Sequence, residues 1–328
     1  MQKSGHRVEV SDLEPGEVAV FHAFGPLYVD YAKLCTHSLR ESGFRGEIHV
    51  HTDLEGCAVL TEFAKLWDLD VNLFVPDSCR PYDRFFGPAY RFFNYTDRWV
   101  HKDVYIGDTD TIFFWGSDIF AEHRKHCDEL REPVSNVVRR IEWFDNRKPK
   151  ELIITAKLRG GRNVALAFGA GGGYLFRLTG TGCFLRESLV SSDKFQSMAY
   201  EYKKELMSKP FFSHHPRGFY DESYFFDFIS DLGIGLPVVS GDELANLNFR
   251  RDFRSGEKLY RPQWGFHLGM ARQKRLSEKS PIFWADNSSI YREKFVSYVE
   301  NHNLLLSSLS PFVKRQIAVI YEDIVEYE

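Results

Sequence analysis

Asp108 and Asp110 stand two residues apart inside DVYIGDTDTIFFW, Asp103 to Trp115, an otherwise apolar run rich in β-branched and aromatic residues. Carboxylates in such surroundings are costly to bury unless they are paired or bind a metal. Their oxygens suit Mn²⁺ or Mg²⁺, above all where substrate phosphates complete the coordination shell. Residues i and i+2 of an extended segment point the same way, so the pair converges on one cation if Asp108, Thr109 and Asp110 continue a strand. The pattern also describes a strand-end turn with two solvated aspartates. Three other places carry chemistry. His267, in QWGFHLGMAR, is either a satisfied core histidine or a metal ligand. Asp221 and Glu222 open a predicted helix, where acids complement the helix dipole and can also be held in a fixed direction. Gly169, Gly171, Gly172 and Gly173 interrupt an apolar strand over Ala165 to Arg177, which fits either a substrate lying against bare backbone or a tight bend.

The elements that position these groups follow a regular order. Glu17 to Phe24 reads as a buried strand broken at Gly25-Pro26, followed by a helix carrying Leu27, Tyr31, Leu34, Cys35, Ser38 and Leu39 and ending at Gly43. Glu47 to Thr52 is a second strand closing on Asp53. Leu60 to Trp67 is a helix, and Val71 to Val75 is a third strand. This alternation predicts a parallel sheet with helices on its faces. Ligands of such sheets bind beyond the carboxyl ends of the strands, which puts His22, Ala23, Asp53 and the Asp108/Asp110 pair in candidate positions. Pro88 to Trp99 is expected to be a helix bearing Arg91, and Asp118 to Leu130 another. Arg131 to Arg162 is charged and irregular, either a solvated loop or a lid over a ligand. Phe184 to Met207 and Asp221 to Ile229 are predicted helical, and Val238-Val239 a short strand. From Ser289 onward, Phe295, Val299, Leu305, Leu309, Val313, Ile317 and Ile320 recur at helical spacing, for packing on the domain or on a second copy of the chain.

The composition excludes several classes. The 328 residues carry a formal net charge of −4, so a general nucleic-acid binder is not expected. No stretch approaches the roughly 18 apolar residues of a membrane span, and the amino terminus lacks a signal-type apolar region. Five scattered cysteines without a paired spacing read as free thiols, consistent with a cytoplasmic protein. The 29 Phe and 16 Tyr favour stacking surfaces as well as a core.

In order along the chain, these stretches resemble the GT-A glycosyltransferases, in particular retaining family 8. HAFGPLYVDYAKLCTHSLRESG is similar to that family's first strand and helix, GEIHVHTD to its second strand, and AYRFFNYTDRWVHKDVYIGDTDTIFF to its arginine-bearing helix and D-x-D strand. FGAGGGYLFR resembles the segment bordering the transferred sugar, and FHLG the carboxy-terminal H-x-x-G region. The resemblance implies a GT-A mixed sheet flanked by helices over residues 1–275, with a helical extension over 276–328. It implies that Tyr28 stacks on the donor's base, that Asp53 and Arg91 lie near the donor, and that Asp108, Asp110 and His267 hold the metal. Thr109, Gly171, Gly172 and Gly269 join His22 and Ala23 as further donor contacts. The chain departs from the family at Gly169, where Asn is usual, and in the shortened His267-Leu268-Gly269. YDESYFFDFI is closer to the D-E-S segment of retaining family 6.

The expected function is therefore metal-dependent transfer of a sugar from a nucleotide diphosphate sugar, a UDP-sugar, to a glycan or other hydroxyl acceptor. Asp221 or Glu222 acts at the reacting carbon, as base for inversion or on the opposite face for retention. A sugar nucleotidyltransferase shares the architecture, although the first strand is not followed by a glycine-rich loop with a basic residue. A carbohydrate- or nucleotide-binding module without turnover would use the same aromatic surfaces.

Overall fold

The computed structural model describes residues 16–75, 91–94, 97–136, 138–143, 165–168, 172–178, 182–208, 220–236, 238–240, 265–268 and 289–325. In chain order the strands are β1 (Glu17–Ala23), β2 (Glu47–Thr52), β3 (Asn72–Phe74), β4 (Asp103–Gly107), β5 (Thr111–Phe113), β6 (Val134–Ser135), β7 (Val138–Trp143), β8 (Ala165–Phe168), β9 (Gly172–Leu178), β10 (Gly182–Leu185), β11 (Val238–Ser240) and β12 (Gly265–His267). The main helices are α1 (Pro26–Glu41), α2 (Leu54–Trp67), α3 (Ile119–Leu130), α4 (Asp193–Ser208), α5 (Tyr220–Asp231), α6 (Ser289–Asn301), α7 (Asn303–Ser307) and α8 (Pro311–Val325). The class is mixed α/β, with neighbouring strands in the order β3-β2-β1 in one unit and β4-β10-β6 in the other. Two compact units divide the chain, the first comprising residues 1–78, 108–119 and 263–328, the second 79–107 and 120–262.

In the first unit β1, β2 and β3 are parallel, with Val18 opposite Glu47 and His49 opposite Asn72. Val18, Ala19, Val20 and Phe21 are fully buried, as expected of a strand whose two faces are both covered in a parallel sheet. The turn into α1 needs Gly25, whose φ of 83° is disfavoured for side-chain-bearing residues. Pro26 then presets the first helical turn. At the far end, Arg40 Nη1 donates to the Phe44 and Gly46 carbonyls and Nη2 to that of Asp70. The carboxy-terminal helices pack on α1. Tyr31 Oη donates to Gln316 Oε1 and the Ser310 N–H to Asp30 Oδ2 at 2.7 Å. Phe295, Leu305, Leu309, Val313, Ile317 and Ile320 are buried as their spacing predicts, whereas Val299 is half-buried and Tyr298 is buried in its place.

In the second unit β4, β10 and β6 are antiparallel neighbours. A four-stranded sheet, β11-β7-β9-β8, carries α5 against β9. Much of the aromatic content goes into this unit's core. Phe92 stacks on Phe225 at 4.2 Å, and Phe93 meets Tyr202, Tyr224 and Phe228 at 5.0 to 5.5 Å.

Five expectations change. Asp103 to Trp115 is two strands rather than one, with β4 and β5 in different sheets. Residues 91–93 form a turn and Asp97–Trp99 a single 3₁₀ turn in place of a helix over 88–99. β6 and β7 run through the segment expected to be irregular, because Val138 finds a partner in β9 and the apolar spacing alone does not announce it. Ala165 to Arg177 holds two antiparallel strands, β8 and β9, rather than one, with Phe168 opposite Gly172. Phe184 and Leu185 end β10 ahead of the helices, since both are fully buried beside β4.

Candidate functional site

The two carboxylates lie where β4 has ended and β5 has not begun. Asp108 follows Gly107 without regular structure, and Thr109 and Asp110 form a bend. The extended i, i+2 geometry expected from the sequence is therefore replaced by a bend. The fully buried Cys35 thiol is pushed well above its ordinary pKa by burial first, then by Asp110 and by Asp108. Both carboxylates are half-buried, while Thr109 between them is buried.

Neighbouring elements hold this bend at three points. The Cys35 thiol of α1 reaches the Asp108 carbonyl at 3.9 Å. The Leu268 N–H, at the end of β12, donates to the Asp110 carbonyl at 2.7 Å. The Phe113 N–H donates to Ser38 Oγ of α1 at 3.0 Å, and Ser38 in turn donates to the Cys35 carbonyl at 3.1 Å. Antiparallel pairing sets His267 opposite Thr111 and Gly265 opposite Phe113. A Cβ on Gly265 would stand 2.8 Å from the Ile112 carbonyl oxygen, so only glycine permits this approach. The structure thus brings the His267 backbone beside the D-x-D bend. The His267 side chain and Gly269 lie outside the described part. Sequence reasoning missed Cys35 and Ser38, whose i, i+3 spacing on one helix face was their only signal.

Asp53, Tyr28, His22 and Ala23 gather at the carboxyl ends of β1 and β2. Asp53 caps α2, with Oδ1 accepting the Gly56 N–H at 2.7 Å and Oδ2 the Gly25 N–H at 2.8 Å. The Ala23 carbonyl accepts from Thr52 Oγ1 at 2.5 Å. The half-buried His22 ring stacks on His51 at 4.6 Å, and His51 on Phe74 at 5.0 Å, a ladder across the three parallel strands. Tyr28 is 45% exposed, with its edge against Tyr31. A cavity of about 360 Å³, which Tyr28 does not line, is bordered by Gly25, Leu27, Val29, Asp53, Val59 and Phe312 among others. The first turn of α1, opening on this side, has no side-chain cap, so its N–H groups face outward with the positive end of the helix dipole.

The other candidates belong to the second unit. Arg91 is buried in its turn, the guanidinium 4.6 Å over the Phe92 ring. Asp221 and Glu222 occupy the first turn of α5 as predicted, their side chains outside the described part. Gly172 opens β9, and Gly171 lies outside the described residues. Among the described residues, no group of three or more His, Cys, Asp or Glu side chains is placed to hold a metal ion, and no helix is long and apolar enough to cross a membrane. The four described cysteines are unbridged.

No family model matches the chain, and no curated protein does. Among solved structures, the chain is similar to the glycosyltransferase GlyE of Streptococcus pneumoniae TIGR4, at 11% identity and a TM-score of 0.40, covering 84% of this chain and 52% of that one, so this chain spans about half of GlyE. Mouse xyloside xylosyltransferase 1 aligns at 10% identity over 68% of this chain and 84% of that one, with a TM-score of 0.36. The 4-diphosphocytidyl-2C-methyl-D-erythritol synthase of Anaerococcus prevotii DSM 20548 aligns at 11% identity over 70% and 88%, also with a TM-score of 0.36. Likenesses of this degree identify no family, and the functional reading rests on the chain's own residues.

Proposed function

We propose that this chain is a divalent-cation-dependent glycosyltransferase that uses a UDP-sugar as donor and a hydroxyl group of a glycan or similar molecule as acceptor, with retention of anomeric configuration. The observation that carries the reading is the D-x-D bend, two half-buried acids flanking the buried Thr109 on a backbone held from two sides. Two hard oxygen donors in a held backbone fit Mn²⁺ or Mg²⁺ and leave sites for diphosphate oxygens. Asp108 and Asp110 would hold the cation, with His267 as the third ligand implied by resemblance. Such an ion supplies charge neutralisation for the departing diphosphate.

The chain's own groups divide the remaining work. The exposed Tyr28 ring offers a face to the base, and the uncapped first turn of α1 offers N–H donors to a phosphate. The acids at the start of α5 serve the reacting carbon, with Glu222 assigned the closer position from the family 6-like segment. The unbridged cysteines are compatible with action in a reducing compartment such as the cytoplasm.

A thermal-shift screen of nucleotide sugars with and without Mn²⁺ tests the reading, since a ligand bound to the folded state raises its apparent stability. UDP-sugars are expected to raise the melting temperature only with the metal, and Asp110→Ala is expected to abolish the shift. Metal-independent shifts of normal size would count against the proposal. Release of pyrophosphate from a nucleoside triphosphate and a sugar phosphate would replace it with a nucleotidyltransferase.

A further inference from the structure

We infer that Ser38 is a positioning residue for the D-x-D bend, with Cys35 as its companion, so that the α1 face sets the affinity of Asp108 and Asp110 for a divalent cation. The inference rests on the metal-binding reading above. Carboxylates in a bend, unlike those in a continuous strand, have their directions set by whatever fixes the flanking backbone. Here β4 stops at Gly107 and β5 starts at Thr111, so pairing between strands leaves the three intervening residues unspecified. Ser38 and Cys35 supply part of the missing constraint. Ser38 Oγ receives the Phe113 N–H at 3.0 Å while donating to the Cys35 carbonyl at 3.1 Å, and both contacts are fully buried. Its hydroxyl is thus oriented by α1 itself and fixes the carboxyl side of the bend.

Cys35, one turn earlier, meets the Asp108 carbonyl at 3.9 Å on the amino side. Sulfur is a weak donor, so this contact contributes shape more than strength. The Leu268 N–H on the Asp110 carbonyl completes the clamp from β12. The effect of Ser38 passes through the backbone of residues 108 to 113.

The test is titration with Mn²⁺ alone, followed by electron paramagnetic resonance of the free ion, alongside thermal unfolding. Wild type is expected to bind and Asp110→Ala to lose binding. Ser38→Ala should weaken Mn²⁺ binding about five- to tenfold, the scale of one lost buried hydrogen bond. Ser38→Thr, which keeps the hydroxyl, should recover most of the affinity. Leu39→Ala, a core truncation on the same helix, should lower the melting temperature while leaving Mn²⁺ affinity near that of wild type. Unchanged affinity in Ser38→Ala, with Asp110→Ala still deficient, overturns the positioning role and leaves the metal site standing. Equal weakening in Leu39→Ala also overturns it, by showing a general effect of stability. Failure of wild type to bind Mn²⁺ removes both the metal site and this inference.

Discussion

Asp53 ties Gly25 to Gly56: one carboxylate oxygen accepts the Gly25 N–H at 2.8 Å and the other the Gly56 N–H at 2.7 Å. The residue that follows β2 therefore fixes the turn after β1 as well as the start of α2. Both turns border the 360 Å³ cavity, so a single side chain shapes one wall of the candidate nucleotide end.

Asp53→Ala removes a helix cap and leaves two backbone donors without their acceptor. The expected loss is about 1 to 2 kcal/mol, combining a cap of about 1 kcal/mol with a smaller cost for the part-buried Gly25 donor left without its acceptor. Urea denaturation measures it. A loss below about 0.5 kcal/mol would show that water replaces the carboxylate at both sites.

Glu222→Gln keeps the size of the side chain and removes its charge. If Glu222 acts at the reacting carbon, transfer should fall by about 100-fold or more while UDP affinity changes less than about twofold, because the group serves the transition state and not the nucleotide. Initial rates and isothermal titration separate the two effects. Proton NMR of fresh product showing inverted configuration would defeat the retaining assignment whatever the rates.

The stability of the carboxy-terminal helices on α1 should depend on pH in a defined direction. His37 is buried with its ring 5.1 Å from Trp67 and 5.0 Å from His302, and Tyr298 Oη lies 3.4 Å from its Nδ1. Burial, then the charge of His302, lower its pKa to about 4, against a smaller opposing pull from Glu41. The folded state thus takes up fewer protons than the unfolded chain between about pH 6.5 and 4, and its stability falls as pH drops through that window, by on the order of 3 kcal/mol. His302 shifts the other way. Burial lowers its pKa, but the Glu41 carboxylate, 3.8 Å from Nε2, and the hydrogen bond to the Tyr298 carbonyl outweigh that and raise it. Its contribution is full below pH 6.5 and fades as pH rises through the folded value. Urea midpoints taken from pH 4 to 9 should peak between these limbs, and His37→Gln should flatten the acidic one. An acidic limb unchanged in that variant would place the effect elsewhere.

What the amino-acid sequence determined by itself lies where neighbours along the chain carry the information. β2 occupies Glu47–Thr52, where the sequence placed a strand closing on Asp53, although its residues after Glu47 are all buried and do not alternate, and α1 begins at Pro26 because Gly25 and Pro26 admit little else. The helical spacing of Leu305, Leu309, Val313 and Ile317 identified the buried side of the carboxy-terminal segment, since burial of one helix face is periodic whatever it packs against. The D-x-D pair was visible as two acids in an apolar run, but its geometry was not. Whether residues 108 to 110 continue a strand depends on which strands are available to pair, and β12, which pairs with β5, lies far along the chain. Ser38 reaches Phe113 across 75 positions and Cys35 reaches Asp108 across 73. Contacts at that separation leave no local periodicity, because a serine or cysteine on a buried helix face packs like any small core residue until the tertiary fold sets an amide or a carbonyl against it.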